Sequence, residues 1–117
     1  MEQRRAARHL VSQVPGLARG VQVLGAGRAP LETALVDLSA IGLRVAARVP
    51  VEPPFTRGEQ LELLVSPEQL KLRAMCVHQS PVEGGGTALG LFVHGPFDQA
   101  RLRQLLAAVG CEEAPPP

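Results

Sequence analysis

From Leu17 onward the sequence is a succession of short apolar runs, each ended by a cluster of turn-forming residues. The runs are β-branched or rich in leucine, as strands commonly are. Closely spaced strands with Gly and Pro between them indicate an all-β barrel or sandwich. The turn signals are Gly25-Ala26-Gly27, Pro50 to Pro54, Arg57-Gly58, Ser66-Pro67 and Gly84-Gly85-Gly86.

Apolar and polar residues alternate within the runs, as they do in half-buried strands. In the run from Leu61 to Val65 the apolar Leu61, Leu63 and Val65 fall on one face, because strand side chains repeat every two residues. A first strand is expected around Val21-Gln22-Val23. The run from Leu70 to His78 begins with the same alternation and loses it between Ala74 and Val77. That loss indicates either a strand covered on both faces at its far end or a β-bulge.

The last element has the spacing of a helix. Leu102, Leu105, Leu106 and Val109 recur at i, i+3, i+4 and i+7, which is the stripe of an amphipathic helix. Pro96 suits the first helical position, Asp98 suits the positive end of the helix dipole, and Gly110 suits the position after the end. We expect this helix to lie on the barrel and to cover apolar surface. The alternative is that it forms part of an interface with a partner.

A length of 117 residues suits one domain with a modest core. Residues 1–16 are polar and arginine-rich up to Pro15-Gly16, and they predict an N-terminal arm or short helix outside the main core. The barrel with its helix is assigned to 17–110. Residues 111–117 are predicted to form a solvated Pro-rich tail, because a run of prolines can neither continue a helix nor join a ladder.

The composition excludes several classes of protein. The net charge is +1, and the chain has 3 % aromatic residues with no Trp or Tyr, which argues against general DNA or RNA binding. No run approaches the roughly 20 apolar residues of a membrane span, and the first residues are not a secretion signal, so a cytoplasmic protein without membrane insertion is expected. Cys76 and Cys111 are expected to be reduced. The three histidines have no metal-ligand spacing, so no metal site and no cofactor are predicted.

One short segment, from Asp37 to Gly42, is more specific than its surroundings. It follows the strand-like Ala34-Leu35-Val36, and alternation places the side chains of Asp37 and Ser39 on one face with Leu38 on the other. The Asp37 carboxylate is then a hydrogen-bond acceptor, and it lies beside the Ser39 hydroxyl, which can both donate and accept. Gly42 permits either a positive-φ turn or a close approach of the backbone to a ligand. The alternative is a plain β-turn, which Asp, Ser and Gly also favour.

The second specific feature is a pair of arginines near the N-terminus. Arg4 and Arg8 share a face if the arm is helical, and on a flexible arm they can close around one anion from two sides. Guanidinium groups offer forked donors to phosphates and to guanine edges, together with flat faces for stacking. The alternative is a solvated run of charge in an arginine-rich chain.

Together the two features resemble the signature of the PilZ domain family, the bacterial receptors for cyclic di-GMP. That signature is R-x-x-x-R on an N-terminal arm, matched by Arg4 and Arg8, followed by D/N-x-S-x-x-G on the barrel, matched by Asp37, Ser39 and Gly42. The apolar run Leu89-Gly90-Leu91-Phe92-Val93 and the closing helix extend the resemblance over almost the whole chain.

The resemblance implies a mainly β fold, a six-stranded antiparallel barrel with a C-terminal amphipathic α-helix and an arginine-rich arm that folds over cyclic di-GMP. Arg4 and Arg8 would supply donors and stacking planes, while Asp37 would accept from the guanine N1 and N2 hydrogens. Arg5 would be an electrostatic helper and Arg44 a further auxiliary residue. In the family the arginine motif leads rather directly into the first strand, whereas here residues 9–17 intervene. This spacing predicts a longer or helical arm and leaves open whether it brings the arginines to Asp37.

The expected function is that of a cyclic di-GMP receptor and adaptor that signals to an unidentified effector protein through a ligand-induced change of the arm. The alternative is a PilZ-like protein-interaction module that does not bind nucleotide, since a barrel fold does not by itself establish a ligand. An enzyme is not expected. Ser39 lacks a G-x-S-x-G elbow, and the glycine clusters lack the lysine of a phosphate loop.

Overall fold

The computed structural model describes residues 7–111, and within that range the chain forms seven antiparallel strands and one α-helix. The elements are β1 (His9–Leu10), β2 (Gly20–Gly25), β3 (Leu31–Leu38), β4 (Gly42–Ala47), β5 (Gln60–Ser66), β6 (Leu70–Val82), β7 (Gly86–Phe92) and α1 (Pro96–Ala108), with a single 3-10 turn at Pro15–Leu17.

Six of the strands close into a barrel. Hydrogen-bonded neighbours run in the order β3-β2-β5-β6-β7-β4, and β4 pairs back to β3. The short strand β1 is added to β3 outside this circle. The predicted six-stranded antiparallel barrel with a C-terminal helix is therefore confirmed.

The strands form where the sequence alternates. Leu61, Leu63 and Val65 of β5 are all buried, and Val21 and Val23 of β2 pack into the same core, as their spacing predicted. In β6 the alternation fails because of a bulge: the register with β7 shifts between Cys76 and His78. Of the two explanations that the sequence left open, the bulge is the one found.

Helix α1 closes the core as predicted. Pro96 occupies its first turn, and Leu102, Leu105 and Leu106 are buried against the barrel. The Asp98 carboxylate accepts a hydrogen bond from the backbone N–H of Arg73 at 3.1 Å, which fixes the start of the helix to β6. After the helix Gly110 adopts a φ of 83°, a conformation that glycine takes at little cost.

The remaining predictions concern the two ends of the chain and the two cysteines. Arg4, Arg5 and residues 112–117 of the tail predicted over 111–117 lie outside the described residues. Cys111, the first residue of that tail, is buried, and its N–H donates to the carbonyl of Leu106 at 2.8 Å. Within the predicted arm, residues 7–16 contain β1 and begin the 3-10 turn. Cys76 and Cys111 are both free thiols.

Candidate functional site

Asp37 lies near the end of β3, where a bulge changes the direction of the side chains. Leu35 pairs with Val45 and Asp37 pairs with Arg44, so that Val36 is an extra residue in β3. Because residues paired across a ladder share a face, Asp37 lies with Arg44 on the outer side of the barrel. Leu38 points into the core, as predicted. The Asp37 side chain is only 2 % exposed, since other side chains cover it.

Two guanidinium groups cover the Asp37 carboxylate. Arg8 donates from Nη1 to Oδ1 at 2.9 Å, and Arg44 places its Nε 3.7 Å from Oδ2. The side chains of Arg8 and Arg44 are 60 % and 50 % exposed, so each keeps donors on the solvent side. The three charges sum to +1, which leaves this surface attractive to an anion.

The arm reaches Asp37 as an added strand. His9 pairs with Leu38 and Leu10 pairs with Asp37, and the N–H of Val11 donates to the carbonyl of Val36 at 2.9 Å. This pairing uses the part of β3 beyond its contact with β2, and it places the preceding residue, Arg8, over the carboxylate. The connection from β1 to β2 contains the 3-10 turn at Pro15–Leu17.

Ser39 and Gly42 shape the turn between β3 and β4. The N–H of Ser39 donates to the carbonyl of Gly42 at 2.9 Å, and the Ser39 hydroxyl accepts from the N–H of Ile41 and donates to the same Gly42 carbonyl, both at 3.3 Å. The turn that the sequence offered as an alternative is therefore present.

Of the two possibilities that the sequence left open at Gly42, the positive φ is absent. Gly42 is not among the glycines with positive φ, and the group that approaches it is the neighbouring strand. A Cβ at this position would overlap the carbonyl oxygen of Leu91, because β4 and β7 pass very close together here. Glycine is needed for that strand contact.

A groove of about 360 Å³ opens beside the Arg8–Asp37 contact. Arg44 pairs with Gly90, and His78 pairs with the other side of Gly90, so these three residues form a row across β4, β7 and β6. Since Gly90 has no side chain, the groove is open between the other two. Its lining consists of Arg8, Ser39, Ile41, Gly42, Leu43, Arg44, Val77, His78, Gly90, Leu91 and Phe92.

The predicted site residues and the groove therefore coincide in part. The structure brings Arg8, Asp37, Ser39, Gly42 and Arg44 together at one end of β3 and β4. The sequence reasoning missed the contribution of β6, namely Val77 and His78. No local motif indicates them, and only the register of β6 with β7 could have done so.

Some kinds of site have no support in the part of the chain that the structure describes. Residues 7–111 contain no group of three or more His, Cys, Asp or Glu side chains placed to hold a metal ion. No helix within that range is long and apolar enough to cross a membrane.

Comparison with known families identifies the fold. A family model described as the PilZ domain matches residues 2–108, which is nearly the whole chain. The chain belongs to the PilZ domain family. This membership is consistent with the order of the two motifs and with the closed barrel. No curated protein matches the sequence significantly.

Solved structures show the same PilZ fold at low sequence identity. The PilZ domain of YcgR from Escherichia coli with c-di-GMP has a TM-score of 0.68 and 17 % identity, with 92 % of each chain covered. The inhibitor of motility MotI/DgrA from Bacillus subtilis has a TM-score of 0.64 and 19 % identity. A longer YcgR structure in complex with c-di-GMP has a TM-score of 0.64 and 17 % identity. In the last two comparisons the matched region covers 92 % of this chain. It covers only 51 % of MotI/DgrA and 46 % of the longer YcgR chain.

Proposed function

We propose that this PilZ protein is a receptor for cyclic di-GMP that signals to an effector protein. The observation that carries the proposal is the contact of Arg8 with Asp37 at the edge of the groove, since it joins the two family motifs in space. A related fold, the PilZ domain of YcgR, is known with c-di-GMP.

The chemistry of the groove suits a guanine dinucleotide. Cyclic di-GMP carries two phosphate charges and two guanines, so a receptor needs forked cationic donors as well as an acceptor for the guanine N1 and N2 hydrogens. Arg8 lines the groove and supplies donors. Arg4 of the same motif is its proposed partner, and Asp37, which Arg8 covers, is the proposed acceptor. Arg5 and Arg44 add positive charge, and the volume of about 360 Å³ is within the usual range for small-molecule sites.

Ser39 and Gly42 serve the site by fixing its wall. The hydroxyl of Ser39 is engaged with the main chain of its own turn, which supports a binding role over that of a nucleophile. Gly42 lets β4 approach β7, and both strands line the groove. We therefore propose a cytoplasmic protein without catalytic activity, whose arm changes its position when the nucleotide binds and thereby presents a new surface to the effector.

The binding of cyclic di-GMP can be tested by isothermal titration calorimetry and thermal unfolding. At 100 times its dissociation constant the ligand should add about 2.7 kcal/mol to the free energy of unfolding. Arg8→Ala and Asp37→Asn should each weaken binding by about tenfold or more, because each removes a charged hydrogen-bonding group worth about 1.5–3 kcal/mol.

Arg103→Ala is the matched control, since Arg103 is exposed on α1 away from the groove. It should bind cyclic di-GMP as the wild type does. Folded wild-type protein that gives neither binding heat nor a shift in melting temperature would contradict the proposal.

One observation favours a second candidate function, a protein-interaction module that binds no nucleotide. Arg8 and Asp37 are hydrogen-bonded to each other in this structure, so the pair can serve to hold the arm on the barrel. In that case Arg8→Ala should loosen the arm and change protein contacts, with no dependence on cyclic di-GMP in any assay.

A further inference from the structure

The Asp37 carboxylate has two possible counter-ions on elements of different kinds. Arg8 belongs to the arm, which is joined to β3 by a two-residue strand, whereas Arg44 belongs to β4 inside the closed barrel. Arg8 is in hydrogen-bond contact with Oδ1, while Arg44 stands 3.7 Å from Oδ2, just beyond that contact. A carboxylate that is 2 % exposed needs at least one such partner, because burial makes an unpaired charge costly.

Binding of a nucleotide makes competing demands on this pair. If Asp37 is to accept from a guanine edge, the covering Arg8 has to move off Oδ1, because the carboxylate is only 2 % exposed. The carboxylate would then lose its close cation while it is still covered. A charge-assisted hydrogen bond has a length of about 2.7–2.9 Å, so Arg44 needs to move by only about 1 Å to replace the lost partner.

We infer that Arg8 and Arg44 are alternate counter-ions of Asp37. In the ligand-free protein the arm cation Arg8 holds the carboxylate, and in the bound protein Arg8 turns to the ligand while the strand cation Arg44 closes on Asp37. Arg44 is thus a positioning residue that acts through Asp37. The arrangement in the bound protein rests on the proposed function. The pairing of Asp37 with Arg8 in the absence of ligand concerns the protein alone.

The bulge in β3 is what makes the exchange possible. It sets Asp37 directly opposite Arg44 on the outer face, while the neighbouring pair of Leu38 and Leu43 remains in the core. Arg48 provides a matched control. It is an exposed arginine just beyond the same strand, and it lines a different hollow with Pro30 and Val49.

The first test uses urea unfolding without ligand, followed by circular dichroism because the chain has no Trp or Tyr. Arg8→Ala and Arg44→Ala should each lower the urea midpoint slightly, since the other arginine remains. The double variant should lower it by clearly more than the two shifts added together. Addition of Asp37→Asn should remove this excess, because no charge is left to be paired. Additive shifts, or an excess that persists with Asp37→Asn, would overturn the inference.

The second test measures cyclic di-GMP binding by calorimetry, with each arginine variant made in the wild-type and in the Asp37→Asn background. Arg44→Ala should weaken binding by about tenfold or more, and Arg48→Ala by less than about threefold. In the Asp37→Asn background Arg44→Ala should cause little further loss, because Arg44 acts through the carboxylate.

This comparison of backgrounds separates a positioning role from a direct contact with the ligand. If Arg44 only contacted a phosphate, Arg44→Ala would weaken binding equally in both backgrounds, and the inference would be wrong. If Arg44→Ala bound as tightly as Arg48→Ala, it would be wrong as well. A wild type that does not bind cyclic di-GMP defeats the proposed function and the bound half of the exchange, while the urea cycle still decides the ligand-free half.

Discussion

At the scale of single residues, Gly42 shows how a motif position can serve the fold. A methyl group at this position would overlap the Leu91 carbonyl on the adjacent strand. Gly42→Ala should therefore lower the free energy of unfolding by about 1–3 kcal/mol, as overpacking does. Gly20→Ala is the control, because nothing lies within 4 Å of its added Cβ, and it should be neutral or slightly stabilising. Equal urea midpoints for the two variants would contradict this account.

The residues of the candidate site could be named from the sequence in part only. Asp37 and Arg8 were singled out because carboxylates and guanidinium groups in a short motif have an evident chemical use, and the structure places them in contact. Arg44 could be no more than an auxiliary residue, since its position opposite Asp37 depends on one extra residue in β3. His78 could not be found, because its place in the groove depends on the register of two strands.

At the scale of elements, Arg28 joins the turn after β2 to the Pro-rich connection between β4 and β5. It pairs with Glu59 through two hydrogen bonds, at 2.8 and 3.1 Å, and it donates to the carbonyls of Pro53 and Pro54. Its guanidinium also lies 4.2 Å from the centre of the Phe55 ring. One side chain therefore ties a segment with no regular structure to the barrel.

This connection should make stability depend on pH in a defined way. The hydrogen bond from Arg28, and then that from the Thr56 N–H, hold the pKa of Glu59 below its ordinary value. A lowered pKa in the folded state adds stability above the ordinary carboxylate pKa of about 4.3, and this stability is lost as the pH falls further. Glu59→Gln should therefore unfold more easily than wild type near about pH 7, and the difference should shrink toward about pH 3.

Urea unfolding at several pH values measures this difference. Glu83→Gln, at an exposed turn between β6 and β7, is the control and should follow the wild type throughout. A deficit of Glu59→Gln that is the same at neutral and acidic pH would show that the ionised carboxylate is not its cause.

The elements themselves were predictable to different degrees. The buried alternation of β5 and the leucine spacing of α1 are local patterns, and both elements were found where the patterns placed them. The number of strands came from the family resemblance. Strand β1 was not predicted, because two residues are too few to show a period and its pairing depends on the free end of β3.

At the scale of the whole molecule, the barrel and the arm differ in how firmly they are held. The barrel is a closed ring of six strands with α1 packed on its core, so its hydrogen bonds open together. The arm is joined by the short pairing of β1 and by the Arg8–Asp37 contact. A ligand that holds Arg8 should therefore change the exchange of the arm amides more than that of most of the molecule.

Hydrogen exchange with and without cyclic di-GMP tests this expectation. At 100 times the dissociation constant, the amide of Val11, which donates to the Val36 carbonyl, should slow by up to about a hundredfold, because the arm can open only after the ligand leaves. The amides at the end of α1, near Ala108, should keep their rates, since fraying there does not require release of the ligand. In Arg8→Ala any bound ligand should leave the arm amides unprotected. Tight binding to the wild type with unchanged exchange at Val11 would mean that the arm takes no part in recognition. The proposed effector would then have to contact the barrel face around the groove.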